Sequence, residues 1–354
     1  MGAASEERLS SFLVRPSGNK IDGTKFVILG VENFLLMKSS NPVFLLLLIA
    51  ALAWAACGDS TSSSDAEPRQ TATLVSLTEP GRSVQLKELP VQTPESVIGD
   101  GKYFYVSCIG REPKPFDTDG DGFIMKLDQE GNVISEKFIQ GLDAPKGSAI
   151  VEGILYVADI TEIKAFDLLT GQAKGTIDLS STGTRSLNDL TPMKGKLIVS
   201  ATDINRIYEV SPTKGTFAEI ATRPTLVHPN GVWYDETREK LYITTSPTEP
   251  TGHLNVINMA KKRGEVYFAE TVGTYSGILD GLAVVGDYAF FSDWHRQTVV
   301  VMNTHTGETS GAGLPQLVQG PADFFLDIHN REIWLPGMME NSLSIQTLPM
   351  TIEE

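Results

Sequence analysis

A segment that recurs six times along this chain is the feature that most limits the folds it can adopt. Related tetrapeptides begin, in order, at Pro94, Pro145, Leu187, Pro229, Leu279 and Pro321. Their second residues, in the same order, are Glu95, Lys146, Asn188, Asn230, Asp280 and Ala322. These second positions are 51, 42, 42, 50 and 42 residues apart. A period of this length is typical of proteins in which one supersecondary unit is repeated.

Each repeat has the same internal order of apolar strands and polar turns. The tetrapeptide opens a first strand, and a second apolar strand follows, as at residues 103–108 or 196–200. A third strand comes next, as at 123–127, and then a polar turn and an outer strand, as at 133–138. Four short strands per repeat predict an all-β fold, a six-bladed β-propeller with four antiparallel strands per blade. The alternatives are a β-sandwich or two smaller β domains.

The expected propeller also predicts how the ring of blades closes. Residues 84–89 precede the first repeat and have no inner partner, so we expect them to form the outermost strand of the last blade. Closure of this kind removes a free sheet edge. The first strand of every blade lines the central channel of a propeller. The second positions of the six tetrapeptides should therefore form a ring at the mouth of the channel.

Four of these ring positions carry the side-chain oxygens that calcium prefers: Glu95, Asn188, Asn230 and Asp280. Two buried carboxylates facing each other would not both stay ionised without a cation, because burial and mutual repulsion oppose it. Calcium takes roughly 6–8 oxygen ligands, so water or substrate would complete the set. An ion with open positions can polarise a carbonyl or activate water. The sequence has no Cys and His cluster that would indicate zinc.

The tetrapeptides around these four residues resemble those of the senescence-marker-protein/gluconolactonase/luciferin-regenerating-enzyme family, whose architecture diisopropyl fluorophosphatase shares. Members are six-bladed propellers with a central calcium held by one Glu, two Asn and one Asp, in the chain order found here. The resemblance covers roughly residues 84–349. It implies Glu95, Asn188, Asn230 and Asp280 as calcium ligands. It also implies hydrolysis of lactones or esters, with Asp280 or Asn188 nearest the reacting atom.

Two features depart from that resemblance. Lys146 occupies a ring position, where its ammonium could neutralise carboxylate charge without a metal, bind an anionic substrate or stabilise an oxyanion. The ring positions carry no His that could act as a general base. His228 and His295 lie close to the repeats in sequence, and we interpret both as loop residues with structural roles.

The ends of the second strands should return to the same face of the propeller as the ring. They carry Asp159, Asp203 and Asp293, whose carboxylates are predicted to accept hydrogen bonds from loop amides. The alternative is that they form the wall of a ligand pocket together with Arg185 and Trp294. On that interpretation Lys146, Arg185 and Trp294 would be the substrate-binding residues.

Two further features are candidate sites. Residues 117–122, DTDGDG, resemble the start of a calcium loop, but the twelfth position is Asp128 instead of Glu, and strands flank the stretch. A polar loop of the first blade is the favoured interpretation, and a second calcium is the alternative. Cys108 has no partner left if Cys57 carries a lipid, so we expect a buried and unreactive thiol.

The front of the chain carries a targeting signal. Residues 43–56 form an unbroken apolar run of 14 residues, short for a membrane span and typical of a signal-peptide core. The segment Ala55-Ala56-Cys57-Gly58 resembles a bacterial lipobox, with Trp54 where Leu is usual. Lipidation at Cys57 is the favoured hypothesis. Ordinary secretory cleavage and an uncleaved anchor are the alternatives.

These signals divide the chain into four parts. Residues 1–36 are interpreted as an extension that is disordered or lies upstream of the true start, and 37–57 as the lipoprotein signal peptide. Residues 58–83 are expected to be a Ser/Thr-rich linker, and 84–354 the propeller. The expected location is the bacterial cell envelope, with a lipid anchor (in the outer membrane if the host has one). A secreted or periplasmic protein is the alternative.

The charge of the chain excludes one class of partner. The net charge is −15, and residues before Gly58 hold five basic and four acidic side chains, or +1, which leaves −16 for the remainder. Such a body repels nucleic acid, so the expected partners are a small-molecule ligand and the membrane reached through the lipid. The family resemblance implies a calcium-dependent lactone or ester hydrolase. The alternative is a non-catalytic binding or scaffold propeller, with a structural metal or none.

Overall fold

The computed structural model describes residues 72–77, 83–86, 89–248 and 250–353. Within these ranges the chain forms six sheets with four antiparallel strands each, one of them extended by a fifth strand, and a separate two-stranded sheet. The predicted all-β six-bladed propeller is thereby confirmed. The predicted N-terminal extension, signal peptide and lipidation site at Cys57 lie outside the described residues.

The first three blades run from an inner to an outer strand in chain order, after two strands that precede them, β1 (Thr73–Ser76) and β2 (Ser83–Leu86). Blade 1 consists of β3 (Pro94–Gly99), β4 (Phe104–Cys108), β5 (Gly122–Leu127) and β6 (Val133–Leu142). Blade 2 consists of β7 (Pro145–Val151), β8 (Ile154–Asp159), β9 (Glu162–Asp167) and β10 (Ala173–Asp178). Blade 3 consists of β11 (Leu187–Met193), β12 (Lys196–Ala201), β13 (Arg206–Ser211) and β14 (Thr216–Glu219).

The last three blades repeat this order with small variations. Blade 4 consists of β16 (Pro229–Asp235), β17 (Lys240–Thr248), β18 (Thr251–Arg263) and β19 (Val266–Ser276), with β15 (Thr222–Arg223) parallel to β19 at its edge. Blade 5 consists of β20 (Leu279–Val285), β21 (Tyr288–Asp293), β22 (Thr298–Asn303) and β23 (Thr309–Gly311). Blade 6 contains β24 (Phe325–Asp327), β25 (Glu332–Gly337) and β26 (Ser342–Thr347), and β27 (Met350–Glu353) follows it. Two short 3-10 turns, Ser180–Thr182 and Thr202–Ile204, complete the elements, and no helix in the described ranges could cross a bilayer.

The ring closes through a strand from the front of the chain. Strand β2 pairs antiparallel with β26 as the outermost strand of blade 6, as predicted for residues 84–89. Strand β1 pairs antiparallel with β27 in the separate two-stranded sheet. Strand β1 lies within residues 58–83, where the sequence analysis predicted only a linker. Both ends of the described chain are therefore tied to the last repeat.

Six clusters of buried apolar side chains each lie between two adjacent blades. Strand β12 shows how one strand serves two of them. Leu197 and Val199 belong to the cluster shared with blade 2, and Ile198 belongs to the cluster shared with blade 4. Successive side chains of a strand point to opposite faces of its sheet, and both faces of a blade are covered here. This is the physical reason for the unbroken apolar runs in the sequence.

Candidate functional site

The ring positions lie where the inner strands begin, at points where strand pairing is irregular. In five blades the register between inner and second strand shifts there, for example between Pro94 and Ser96 or between Leu279 and Leu282. Residues in a β-bulge lack a direct ladder partner, and the bulge redirects their side chains. Five of the six ring side chains are thus carried on bulges, which were not predicted from the sequence.

Buried hydroxyl groups on the second strands hold these bulges. The Asp189 N–H donates to Ser200 Oγ at 3.0 Å, and the Gly281 N–H donates to Ser292 Oγ at 2.9 Å. Thr244 Oγ1 donates to a backbone carbonyl of the next blade at 3.0 Å. All three hydroxyl-bearing residues are 0% exposed. Their role was not predicted from the sequence.

Two asparagines fix the points at which inner strands start. Asn341 Oδ1 accepts from the Thr93 N–H and Asn205 Oδ1 from the His228 N–H, both at 2.7 Å. Thr93 and His228 have φ angles of 50° and 47° and stand directly before the proline that opens the strand. The His228 ring is exposed, and its Nδ1 lies 3.2 Å from the Ser246 carbonyl oxygen. The structural role predicted for His228 is consistent with these contacts.

Ring side chains from blades 1, 4 and 5 influence one another through charge and hydrogen bonding. Burial, followed by the charge of Asp280, raises the pKa of Glu95 well above its ordinary value. Burial and the Asp323 charge raise the pKa of Asp280 to about 7, although a hydrogen bond from Asn230 and the Lys146 charge oppose the shift. The ring therefore holds two carboxyl groups in surroundings that disfavour their charge.

The oxygen atoms at the ring fit a divalent cation. Glu95 Oε2 and Asn230 Oδ1 are buried and have no hydrogen-bond partner. A buried acceptor without a donor is costly, and a cation would satisfy both atoms. The Asn188 side chain is half-buried and makes no hydrogen bond within the described residues, so it could add another oxygen. No three His, Cys, Asp or Glu side chains form a metal-binding group in the described chain, so a cation here would need the amides.

Lys146 is buried at the ring, with 3% of its surface exposed. Its Nζ donates to the carbonyl oxygens of Pro115 at 3.0 Å and Ala144 at 3.4 Å. Within the described residues it forms no ion pair with a carboxylate. Burial lowers the pKa of Lys146, while the Glu95 charge opposes the shift. The ammonium therefore acts on the ring carboxylates through space and is held in place by backbone oxygens.

Replacing Lys146 by Met should increase the calcium affinity of the protein on the order of tenfold, because one repelling positive charge leaves a buried site. Methionine keeps an unbranched apolar stem in the same space. Calcium titration calorimetry on both proteins measures the change. The control is Lys114→Met, since Lys114 is exposed and its charge is screened by solvent. Unchanged or weaker binding by Lys146→Met would contradict the electrostatic role.

The carboxylates at the ends of the second strands accept hydrogen bonds from loop amides. Asp159 Oδ1 accepts from the Ala144 N–H at 2.7 Å, and Asp203 Oδ2 accepts from the Arg185 N–H at 2.7 Å. Asp293 Oδ1 accepts from the N–H of residue 295 at 3.0 Å, while its buried Oδ2 accepts no hydrogen bond in the described residues and lies 3.9 Å from Arg296 Nε. The prediction of bonds to loop amides is confirmed for these three residues.

The side chains predicted to bind substrate are spread across the ring face. The Arg185 side chain is exposed, whereas Lys146 is buried and held by carbonyls. Trp294 is half-buried and packs against Gly320, where an added Cβ would lie 2.6 Å from the indole Cζ3 atom. His295 is exposed. Arg185 and Trp294 therefore have surface available to a ligand, and Lys146 has little.

The acidic stretch at residues 117–122 uses its carboxylates within its own loop. Asp121 Oδ2 accepts from the Arg111 N–H, and Asp119 Oδ1 accepts from the Asp121 N–H, both at 3.2 Å. Asp117 forms an ion pair with Lys114 at 3.5 Å. These contacts favour the interpretation as a polar loop over a second calcium site.

Cys108 is buried at 0% exposure in β4. Burial raises the pKa of its thiol to about 12. A thiol with so high a pKa carries almost no thiolate at neutral pH, and the thiolate is the reactive form. The prediction that Cys108 is buried is confirmed, and the raised pKa supports the prediction that it is unreactive.

Two further carboxylates follow ring positions directly and were not predicted as site residues. Asp189 Oδ2 accepts from the Val232 N–H at 2.7 Å, which joins blade 3 to blade 4. Asp323 Oδ2 accepts from Ser96 Oγ at 2.6 Å, which joins blade 6 to blade 1. Burial raises the pKa of Asp189 well above its ordinary value and that of Asp323 to about 6. These residues link neighbouring inner strands below the ring.

Solved structures share this arrangement of blades. A gluconolactonase from Xanthomonas campestris aligns with a TM-score of 0.54 and 16% identity, over 79% of this chain and 99% of its own. The fold is that of a six-bladed β-propeller. A catalytically inactive virginiamycin B lyase from Staphylococcus aureus, solved with quinupristin, aligns with this propeller at a TM-score of 0.50 and 13% identity. That alignment covers 78% of this chain and 99% of the lyase.

These similarities confirm the gluconolactonase-like architecture that the tetrapeptides indicated. Identities of 13% and 16% show a shared fold and no more. Comparison with protein-family models and with curated proteins found no match for the chain. The activity must therefore be argued from the site itself.

Proposed function

We propose that this propeller is a calcium-dependent hydrolase of small lactones or esters, with its centre at the ring of inner-strand starts. The observation that carries the proposal is the pair of buried acceptors, Glu95 Oε2 and Asn230 Oδ1, which have no donor. Asp280 adds a carboxylate and Asn188 an amide whose side chain is free of hydrogen bonds in the described chain. The order Glu, Asn, Asn, Asp also matches the family that the sequence resembles.

Each residue at the ring has a separate role in the proposed hydrolysis. Glu95, Asn188, Asn230 and Asp280 would hold the cation, which when bound would supply Lewis-acid chemistry at a carbonyl oxygen. Asp280 is the general base that takes a proton from the attacking water, and it returns that proton to the alkoxide that leaves when the acyl C–O bond breaks. Asn188 orients the reacting carbonyl beside Asp280. Arg185 and Trp294 contact the rest of the substrate at the channel mouth.

A non-catalytic binding propeller with a structural cation is the second candidate. Two observations favour it. Lys146 places a buried positive charge beside the ring, which weakens cation binding. The two described histidines near the mouth, His228 and His295, are exposed loop residues, and His228 is used in a turn. On this reading the cation stabilises the closed ring and the mouth binds a small molecule without cleaving it.

Metal analysis of the purified protein tests the proposal. We expect about one calcium per chain and a melting temperature that falls by roughly 5 °C when a chelator is added. When the free calcium concentration is 100 times the Kd, binding adds about 2.7 kcal/mol to the free energy of unfolding. Each kcal/mol raises the melting temperature of a domain of this size by roughly 2–4 °C. Restored melting after calcium addition is the control. A calcium-free protein with unchanged melting in chelator would refute the cation site, and a calcium-bound protein inactive on lactones and aryl esters would favour the second candidate.

A further inference from the structure

A cavity of about 290 Å³ lies in the central channel on the far side of the ring. Its walls come from the third to sixth positions of the inner strands, and none of the six ring positions lines it. The wall is mostly apolar, with aliphatic side chains such as Val97, Ile150 and Leu282 and the aromatic rings of Trp233 and Phe325. The cavity therefore does not include the side chains proposed to hold a cation.

The end of the cavity nearest the ring is polar. Asp189 and Asp323 line it there, and none of the described residues that line the cavity is basic. Ser148 also lines this end. Ser148 is 8% exposed, and its hydroxyl makes no hydrogen bond within the described residues. A nearly buried hydroxyl without a partner beside two carboxylates indicates a place for a hydrogen-bond donor.

The other end of the cavity is aromatic and reaches the surface. Trp233 and Phe325 are half-buried, and Pro192, which also lines the cavity, is exposed. Along β11, Asp189 at the acidic end and Pro192 at this end are three residues apart, which corresponds to about 10 Å of strand. The cavity is therefore a short pocket that opens on the face opposite the ring, with an acidic end and an aromatic rim.

We propose that this pocket binds a small amine with an apolar body. The ammonium lies beside Asp189 and Asp323 and donates to the Ser148 hydroxyl oxygen. The apolar body packs between Trp233 and Phe325, where dispersion contacts add to the binding. The volume is at the lower end of the range for ligand pockets, so the ligand is about the size of a single ring with a short chain. The described lining has no basic side chain that could pair with an anionic ligand.

Calorimetric titration with 2-phenylethylamine, and with 2-phenylethanol as its uncharged analogue, tests this proposal. We expect the amine to bind at least about tenfold more tightly than the alcohol, because a charge-assisted hydrogen bond is stronger than a neutral one. Asp323→Asn should reduce amine affinity by about tenfold and leave alcohol binding unchanged. Asparagine can still pair with Ser96 and with the Phe324 N–H, which donates to Asp323 Oδ1 at 2.9 Å, so the blade contact is kept.

Two further variants make the outcome decisive. Ser148→Leu fills the acidic end and should abolish binding of both probes, while Glu136→Gln removes one exposed carboxylate from an outer strand and should change neither. Equal affinity for amine and alcohol, no binding of either, or an Asp323→Asn protein that binds the amine as well as the parent would overturn the proposal. Melting temperatures verify folding. If Ser148→Leu does not fold, the Asp323→Asn comparison decides.

Discussion

Glu95→Gln is expected to lower calcium affinity and any lactone or ester hydrolysis by at least about 100-fold, the scale on which changes around a bound metal act. Glutamine has nearly the same shape, so the substitution removes a charge without opening a cavity. The lost carboxylate is 5% exposed, and its Oε2 atom has no other partner in the structure. Initial rates with a panel of lactones and aryl esters, at saturating and limiting calcium, measure the effect.

The same measurement separates the two functional candidates. Asp280→Asn should also remove activity, because Asp280 acts both as ligand and as general base. Glu112→Gln is the matched control, since Glu112 is an exposed carboxylate of the loop between β4 and β5 that pairs with Lys114 at 2.8 Å. If the variants lose calcium but still hydrolyse the substrates, the cation has a structural role only. Calcium and activity both retained in Glu95→Gln and Asp280→Asn would remove the ring from consideration as a site.

Gly231→Ala is expected to destabilise the protein by about 3 kcal/mol, at the upper end of the cost of overpacking. An added Cβ would lie 2.5 Å from the Asp280 carbonyl oxygen and 2.9 Å from Leu282 Cβ. Those atoms belong to the inner strand of the next blade, and the carbonyl is already held by Thr244 Oγ1 at 3.0 Å. The inner strands of blades 4 and 5 would have to separate. Thermal melting should show a decrease of roughly 10 °C.

The matched control for this prediction is Gly311→Ala. Gly311 lies in a strand like Gly231, but the nearest atom to an added Cβ there is the Gly313 nitrogen at 3.9 Å, an ordinary contact. Its melting temperature should stay within about 2 °C of the parent, because Ala costs little backbone strain at such a site. A Gly231→Ala protein that melts like Gly311→Ala would show that the inner strands tolerate a wider spacing than the structure indicates.

Much of the fold followed from local patterns. The first strands of five blades begin at the predicted tetrapeptides, and in blade 6 the segment forms an isolated bridge between Pro321 and Gly337 before the strand at Phe325–Asp327. The closing strand was also predicted, because a segment before the first repeat had no partner. Strand β1 was not predicted, since the strand that it pairs with in the described part of the chain is β27, more than 270 residues away in sequence.

The candidate site was predictable only in part. The periodic position of Glu95, Asn230 and Asp280 marked them as one set. The sequence also showed that Lys146 shares that set. It did not show that the ammonium binds two backbone carbonyls, because one of them, Pro115, belongs to a loop of the neighbouring blade. Asp189 was likewise overlooked, since its bond to the Val232 N–H spans two repeats.

The sequence by itself determined the number of blades, the order of strands and the six positions that line the channel mouth. Strand and turn preferences act between near neighbours, and six copies in register reinforce one another. Tertiary structure alone decided which oxygens at the ring have no donor, why Gly231 admits no side chain and how the far end of the channel became a pocket. Those properties depend on distances between residues from different blades, and only the closed ring sets these distances.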